Sequence, residues 1–452
     1  MNGGSMTTFS RISMAAVAAL IVGMGPASAA DLGGNCCADL EERVAELEAT
    51  TARKGNRKVS LTISGQISQQ LMFWDDGVQS DMYVSGPTQS NSRWRMSGSA
   101  KISPEVTAGF LYEFEAFASS SASQNQLIGN GMTVNGTSGD DNGGTGHNLR
   151  EAMAWVEHSR LGRVSLGHGS SAANNIILID LSGKGMGASN DVRLHSSGFI
   201  IRTRDGGASN ATWGNFFQGS SGDWLNERNE HIQYRTPTIA GFTLGASVGE
   251  DNYWDVALRY AGEFNGVRIA AGIGYSVRSE YDAPAGALDV NCLRNCSKEM
   301  EQLAGSLSIR HMPTGLFFTG AAGHRDYDNV THLGSQSAAA PGVAPDPVFS
   351  SSFFYLSGGV ARNFFGLGDT VLFGEYSEWK GNSQDTFVDA TSSDKLTHWG
   401  VGVVQHVDAA AMEFWLVYKN YSLSGGCDLC SATGPLAAED LHLVLAGTRI
   451  RF

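Results

Sequence analysis

The last twelve residues, Leu441 to Phe452, read LHLVLAGTRIRF and have the length of one tilted β-strand that crosses a membrane. Side chains alternate across a strand, so the even-numbered positions from Val444 to Phe452 face one side, while Arg449 and Arg451 face the other. The first face is suited to lipid and the second to water. Chain ends usually fray, so a strand that ends on Phe452 must be held by pairing. A closed barrel in which the last strand pairs with the first would supply that pairing.

The composition agrees with such a barrel. Charged residues make up 17% of the 452 residues and glycine accounts for 57 of them, which is unlike the composition of a typical cytosolic enzyme. After the first thirty residues, no apolar run approaches the roughly 18 residues that a membrane-spanning helix needs. The net charge of −14 argues against nucleic acid as a partner.

The N-terminus has the three parts of a secretory signal peptide. Arg11 precedes the apolar run Met14 to Met24, and Ala27-Ser28-Ala29 follows as a cleavage site. We therefore expect residues 1–29 to be removed after export, which leaves Ala30 as the new N-terminus.

Residues 30–58 form a separate segment with helical periodicity. Asp39 is a predicted N-cap with Glu42 three residues later, and Leu40, Val44 and Leu47 recur at heptad-like steps. Fewer than two heptads are marginal alone, so copies from neighbouring subunits would help this short periplasmic helix to associate. A solvated helical linker is the alternative.

From residue 59 onward the apolar period changes to two, which predicts strands through to residue 452. About sixteen candidates follow, an even number, as single-chain membrane barrels have. They run Val59 to Trp74, Ser92 to Ser103, Val106 to Ala118, Leu149 to His158, Arg163 to Gly169, Arg228 to Thr236, Phe242 to Gly249, Trp254 to Phe264, Val267 to Ser279, Met300 to His311, Leu316 to Asp326, Phe353 to Phe364, Thr370 to Trp379, Leu396 to Val407, Met412 to Ser422 and the closing strand.

The connections alternate between tight turns and long loops. Asn265-Gly266 is a strong hairpin signal, and Arg160-Leu161-Gly162 is similarly short. Asp75 to Asn91 and Ser171 to Glu227 are long. Short turns on one side and long loops on the other are typical of outer-membrane barrels, whereas a soluble β-sandwich would not sort its loops in this way.

The N-terminal residues also carry a family resemblance. Ala30 to Thr50 reads ADLGGNCCADLEERVAELEAT and Lys58 to Gly65 reads KVSLTISG, which resembles the start of α-proteobacterial general porins. The resemblance implies an all-β transmembrane antiparallel barrel of about 16 strands, assembled as a homotrimer, with an aqueous channel for passive diffusion of small hydrophilic solutes and ions. It further implies that Phe452 is the signal read by the barrel-assembly machinery and that outer-membrane lipids and lipopolysaccharide surround the barrel. A mature N-terminus of Ala30-Asp31 would suit a tether to peptidoglycan.

The long segment 171–227 is the predicted constriction loop. Its run Ile176 to Ile179 is too apolar for water and should fold back against protein. In related porins the corresponding loop narrows the barrel. Strand alternation aims several arginines at the lumen, where they would face loop carboxylates and set up a field across the pore. The predicted constriction residues are Arg93, Arg95, Arg163, Arg235, Arg259, Arg268, Asp180 and Asp191.

The six cysteines form three close pairs, namely Cys36 with Cys37, Cys292 with Cys296, and Cys427 with Cys430. In an exported protein we expect the loop cysteines to be oxidised, either within each loop or between the two loops. The adjacent pair near the N-terminus could bridge subunits. A four-cysteine zinc site is the sharper alternative, which an oxidising location disfavours.

The sequence predicts no catalytic residues, no resident metal and no cofactor. Asp75-Asp76 and Asp140-Asp141 could hold Ca²⁺ between the outer loops and lipopolysaccharide, although acidic loop pairs are usually solvated. An enzyme at the barrel rim would need one of the scattered histidines to pair with a nucleophile. A second interpretation is a structural anchor that joins the outer membrane to peptidoglycan through residues 30–58, with the pore secondary.

Overall fold

The computed structural model describes residues 59–117, 119–127, 129, 146–214, 224–225, 228–250, 252–280, 298–328, 349–381, 394–424 and 438–452. The predicted signal peptide, the N-terminal helical segment and all six cysteines lie outside these residues. The described residues contain no helix with the length and hydropathy of a bilayer-spanning segment.

Nineteen strands account for most of the described chain. They are β1 (Ser60–Asp75), β2 (Ser80–Ser85), β3 (Arg93–Lys101), β4 (Val106–Phe117), β5 (Gly146–His158), β6 (Gly162–Ser170), β7 (Ile200–Arg202), β8 (Ala208–Thr212), β9 (Arg228–Arg235), β10 (Phe242–Gly249), β11 (Trp254–Phe264), β12 (Val267–Glu280), β13 (Lys298–His311), β14 (Leu316–Asp328), β15 (Phe349–Arg362), β16 (Thr370–Gly381), β17 (Asp394–Val407), β18 (Met412–Ser424) and β19 (Leu441–Arg451). Four short 3₁₀ helices lie between them, at Thr88–Ser90, Ile176–Leu178, Val192–His195 and Asp408–Ala410.

Sixteen of these strands form a closed antiparallel barrel, which confirms the predicted fold class. Each barrel strand pairs with its neighbours in the barrel, and β19 returns to pair with β1 from Gln66 opposite Arg451 to Asp75 opposite His442. The Phe452 amide donates to the Gly65 carbonyl at 3.1 Å, and the Gly65 amide donates to the Phe452 carbonyl at 2.8 Å. The chain end is therefore held by backbone pairing, and the sheet closes on itself without an edge.

The side chains alternate between an apolar outside and a polar inside, as period-two patterning requires. On β10, Leu244 and Val248 are 51% and 66% exposed on the outer face, while Ser247 between them is only 2% exposed. Lipid covers such outward positions in a membrane, so their exposure has no solvation penalty there.

Three strands lie outside the sixteen, and the sequence pattern did not predict them. Strand β2 folds back on the far end of β1, with Gln70 opposite Ser85. Strands β7 and β8 form a small hairpin inside the segment 171–227, which we call the third outer loop. Thr203, directly after β7, forms an isolated antiparallel β-bridge with Ala438. The third outer loop therefore contacts the segment that precedes the closing strand.

The third outer loop fills part of the barrel interior with an apolar core. Ile176 and Ile177 are at most 1% exposed, and Trp224 lies 4.9 Å from the Phe353 ring, centroid to centroid. This placement agrees with the prediction that the run Ile176 to Ile179 folds back against protein.

The inner face of the closing strand differs from the expectation of a uniformly wet surface. Leu441, Leu443 and Leu445 point inward and are fully buried, and they belong to the same apolar core as Met186 and Val192 of the third outer loop. On this face of the strand, charge is confined to the C-terminal part, at Arg449 and Arg451, which both pair with Glu413. The reason is the loop itself, because it packs where water would otherwise fill the lumen.

Candidate functional site: the channel cavity

A cavity of about 970 Å³ remains between the third outer loop and the barrel wall. The wall side comes from β3, β4, β5 and the beginning of β9, together with single residues of β6, β12 and β19. Of the residues that line it, eleven carry hydroxyl or amide groups and twelve are charged. A hydrated solute would therefore find hydrogen-bonding groups on nearly every side.

The wall side carries a cluster of three arginines around one carboxylate. Arg93 and Arg150 approach Glu113 at 3.2 and 2.8 Å, and Arg95 Nε donates to the same carboxylate at 2.8 Å. Arg150 also pairs with Glu115. Glu113 is 2% exposed, so its charge is held by guanidinium groups rather than by water.

The sequence locates this cluster through alternation on β3 and β4. Arg93 and Arg95 are two residues apart on β3, and Glu113 and Glu115 are two residues apart on β4, so each pair faces one side. The strand register then places Arg95 opposite Glu113. The carboxylates were missed in the sequence analysis, although their alternation with Tyr112 and Phe114 was a usable signal.

The loop side of the cavity carries carboxylates. Asp180 lies 3.1 Å from Lys184 and accepts a hydrogen bond from Thr319 Oγ1 at 2.8 Å. Burial opposes ionisation of Asp180, but the charge of Lys184 and the hydrogen bonds from Ser182 and Thr319 outweigh it, so the pKa of this carboxyl is lowered. Asp191 also lines the cavity and is 3% exposed.

The lining has more cations than anions. The seven cationic side chains are Arg93, Arg95, Arg150, Lys184, Arg228, Arg278 and Arg449, and the five anionic ones are Glu113, Glu115, Glu151, Asp180 and Asp191. The cavity thus carries an excess of two positive charges inside a chain whose net charge is −14. The whole-chain charge is no guide to the field inside the channel.

Four of the predicted constriction arginines lie away from this cavity. Arg163 pairs with Glu157 beside a tight turn, and Arg235 lies opposite Arg163 in the strand register. Arg268 pairs with Glu263 at 2.7 Å and is 51% exposed beside the Asn265-Gly266 turn. Arg259 donates to the Ala172 and Asn174 carbonyls, both at 2.6 Å, and so holds the start of the third outer loop. The structure brings Arg93, Arg95, Asp180 and Asp191 together at the cavity.

Other predicted sites are partly beyond the described residues. Ala30-Asp31, the six cysteines and Asp140-Asp141 fall there. Asp76 is described, and its carboxylate accepts hydrogen bonds from Arg202 Nε at 2.8 Å and Gln126 Nε2 at 2.9 Å. Among the described residues, no group of three or more His, Cys, Asp or Glu side chains is arranged to hold a metal ion.

One short motif in the barrel matches a hydrolase signature. Gly245 to Gly249 reads GASVG, the spacing of a nucleophile elbow. That elbow requires a sharp strand-to-helix turn, but here Ser247 lies within β10 and its Oγ accepts a hydrogen bond from the Ala172 amide at 2.7 Å. Ser247 therefore helps to hold the third outer loop, and the match has no catalytic geometry.

Comparison with known proteins places this channel in a family. The model of the Gram-negative porin family matches residues 15–426. No curated protein sequence matches the chain significantly.

Solved structures share the fold at low sequence identity. The anion-selective porin from Comamonas acidovorans is 16% identical with a TM-score of 0.54, covering 87% of this chain and 100% of that one. Salmonella typhi OmpF in complex with daunomycin is 13% identical with a TM-score of 0.52, covering 88% and 99%. The trimer form of OmpT from Vibrio cholerae is 11% identical with a TM-score of 0.50, covering 87% and 99%. The family match extends over most of the sequence and the barrel agrees with it, so this chain belongs to the Gram-negative porin family.

Proposed function

We propose that this porin is a trimeric general diffusion channel of the α-proteobacterial type, which passes small hydrophilic solutes and favours anions over cations. Its family and its barrel make it an outer-membrane channel for passive diffusion, as the sequence predicted. The finer assignment to α-proteobacterial porins is supported by the N-terminal sequence Ala30 to Thr50. The trimer form of the OmpT structure supports the homotrimer.

The observation that carries the anion preference is the charge of the cavity lining. Cations on the wall side face Asp180 and Asp191 of the third outer loop, and cations exceed anions by two. A field across a narrow, partly desolvated opening orients dipolar solutes and sorts ions by sign. The eyelet is therefore assigned to Arg93, Arg95, Asp180 and Asp191.

The remaining assignments complete the proposal. Residues 1–29 are a signal peptide that is cleaved on export, and Phe452 is the residue that the assembly machinery reads. Lipopolysaccharide and outer-membrane lipids surround the barrel. Peptidoglycan attachment through Ala30-Asp31 is a second activity, which deletion of residues 30–58 separates from conduction: envelope integrity falls while single-channel conductance persists.

The test is single-channel recording of the purified protein in planar bilayers with a potassium chloride gradient. Stepwise, voltage-tolerant conductance is expected, with a reversal potential of the sign that chloride preference produces. Silent bilayers would contradict the diffusion channel. A reversal potential of the opposite sign would be compatible with a diffusion channel but would contradict the anion preference.

A further inference from the structure

The cations of the cavity differ in whether a neighbouring carboxylate neutralises them. Arg93, Arg95 and Arg150 share Glu113. Lys184 lies 3.1 Å from Asp180, and Arg449 lies 2.7 Å from Glu413. Each of these side chains therefore has a carboxylate at short range, and the field of a close pair falls off more steeply than that of a single charge.

Arg228 is different. It lines the cavity at the first position of β9, where the third outer loop returns to the wall, and its side chain is half-buried. Among the described residues, no carboxylate lies within ion-pair distance of its guanidinium, and neither its buried Nε nor its terminal nitrogens have a hydrogen-bond partner. Arg228 therefore retains both its charge and its donors.

A neighbouring carboxylate of the cavity, Glu151, is engaged elsewhere. Glu151 lines the same cavity and accepts a hydrogen bond from Ser170 Oγ at 2.5 Å. Ser170 lies directly opposite Arg228 in the register of β6 and β9. The hydroxyl thus occupies one oxygen of Glu151, which remains close enough to modulate Arg228 without pairing with it.

We propose that Arg228 is a specificity-determining residue of the channel, an unpaired guanidinium that passing carboxylate, phosphate or halide ions contact. This inference rests on the proposed function and names a residue that sets its ion preference. A guanidinium offers a planar fork of donors that suits oxyanions. A partly buried charge is screened less by salt than an exposed one, so its effect persists at physiological ionic strength.

The experiment compares four variants by reversal potential in a potassium chloride gradient. Arg228→Gln removes the charge, and the chloride-to-potassium permeability ratio is expected to fall by about threefold or more, as loss of a weakly screened unit charge produces. Glu151→Gln removes the nearby carboxylate and raises the ratio. Arg228→Lys retains a charge and restores most of the preference lost in Arg228→Gln. Arg268→Gln makes the same charge change outside the cavity and leaves the ratio unchanged.

Each variant is first checked for a folded barrel by its β-sheet circular dichroism. A folded Arg228→Gln channel with the wild-type permeability ratio overturns the proposal, as does an equal drop in Arg268→Gln, which would indicate a general charge effect. A wild-type channel without anion preference would instead overturn the proposed function, so the two failures are distinguishable. Inhibition of chloride current by added phosphate, present in wild type and lost in Arg228→Gln, provides a second readout.

Discussion

Glu113 accepts contacts from three guanidinium groups within one small volume, and this determines how the cation cluster survives inside the barrel. Three arginines on adjacent strands repel one another, and a carboxylate that is 2% exposed offsets that repulsion. The cluster is therefore stable only as a set. The same carboxylate holds Arg93 and Arg95 in fixed positions along the channel wall.

Replacement of Glu113 tests whether the arginine cluster depends on this carboxylate. Glu113→Gln should lower the free energy of unfolding by roughly 2 kcal/mol, below the 3–5 kcal/mol typical of fully buried pairs because the guanidinium groups keep some water. It should also increase the anion preference, since one negative charge leaves the lining. Denaturant unfolding and reversal potentials measure the two effects.

The matched control is Glu263→Gln, which breaks the half-exposed pair with Arg268. Exposed pairs contribute at most about 1 kcal/mol, so this variant should unfold close to wild type. Equal destabilisation of the two variants would show that the arginine cluster has no special dependence on Glu113.

For single residues, the sequence predicted which face of a strand a side chain occupies but not where it lies along the channel axis. Alternation aims Arg163, Arg235 and Arg268 inward, yet these arginines lie near the tight turns, where the lumen is away from the third outer loop. Which cations meet the cavity depends on where the loop packs, and that depends on contacts between residues far apart in sequence. Periodicity within one strand carries no such information.

Among the elements, the third outer loop is held to the other loops by a network centred on Asp76. The Asp76 carboxylate accepts hydrogen bonds from Arg202 of that loop and from Gln126, while Gln126 also bonds the Ile200 backbone. The Glu439 amide donates to the Arg202 carbonyl at 2.8 Å. Segments from four parts of the chain thus meet around one carboxylate.

This network should respond to acid. Burial raises the Asp76 pKa, but hydrogen bonds from Arg202, Gln79, Gln126 and Val78 outweigh it, so the pKa lies below its ordinary value of 3.8. The contribution to stability is therefore complete above pH 3.8 and is lost as the pH falls through the lowered pKa. At pH 7, Asp76→Asn should show the reduced protection of the Val78 and Gln79 amides, relative to their intrinsic exchange rates, that wild type shows only in acid. Hydrogen exchange measures the change, expected at about tenfold for loss of one charge-assisted bond.

The neighbouring Asp75→Asn is the control for this variant. Asp75 is exposed, and within the described part of the chain its carboxylate accepts a hydrogen bond only from the Gly77 amide, at 2.9 Å. Equal exchange in the two variants would mean that Asp76 does not hold the loops together.

For the whole molecule, the fold was readable from the sequence to a large extent. Val106 to Ala118 was predicted and β4 spans Val106–Phe117, and the Asn265-Gly266 turn joins β11 to β12 as expected. Strand patterning is local and strict because one face meets lipid and the other does not. Strand β2 and the β7–β8 hairpin were not predicted, because these strands are only 6, 3 and 5 residues long and lie within segments interpreted as loops.

The backbone of Phe452 takes part in the closure of the barrel. The backbone of Phe452 pairs with Gly65, and an added Cβ on Gly65 would lie 2.6 Å from the Phe452 ring, so the ring covers this glycine. Phe452→Ala keeps the backbone pairing and removes the ring, and we expect a several-fold lower yield of closed barrels in the outer membrane. Heat-dependent migration on gels separates closed from unfolded chains.

Phe365→Ala provides the comparison for this substitution. Phe365 is 72% exposed in a turn and Phe452 is 64% exposed at the end of the chain, so both variants lose a similarly exposed ring. Equal yields from the two variants would remove any special role of the terminal aromatic in assembly.

The buried leucines of β19 have a consequence for attempts to enlarge the pore. Excising residues between 186 and 199 would uncover Leu441, Leu443 and Leu445, and a bare hydrocarbon stripe along an aqueous bore repels water and resists ion passage. A wider pore therefore requires polar substitutions of these leucines together with the deletion, because the apolar faces of β19 and of the third outer loop cover each other.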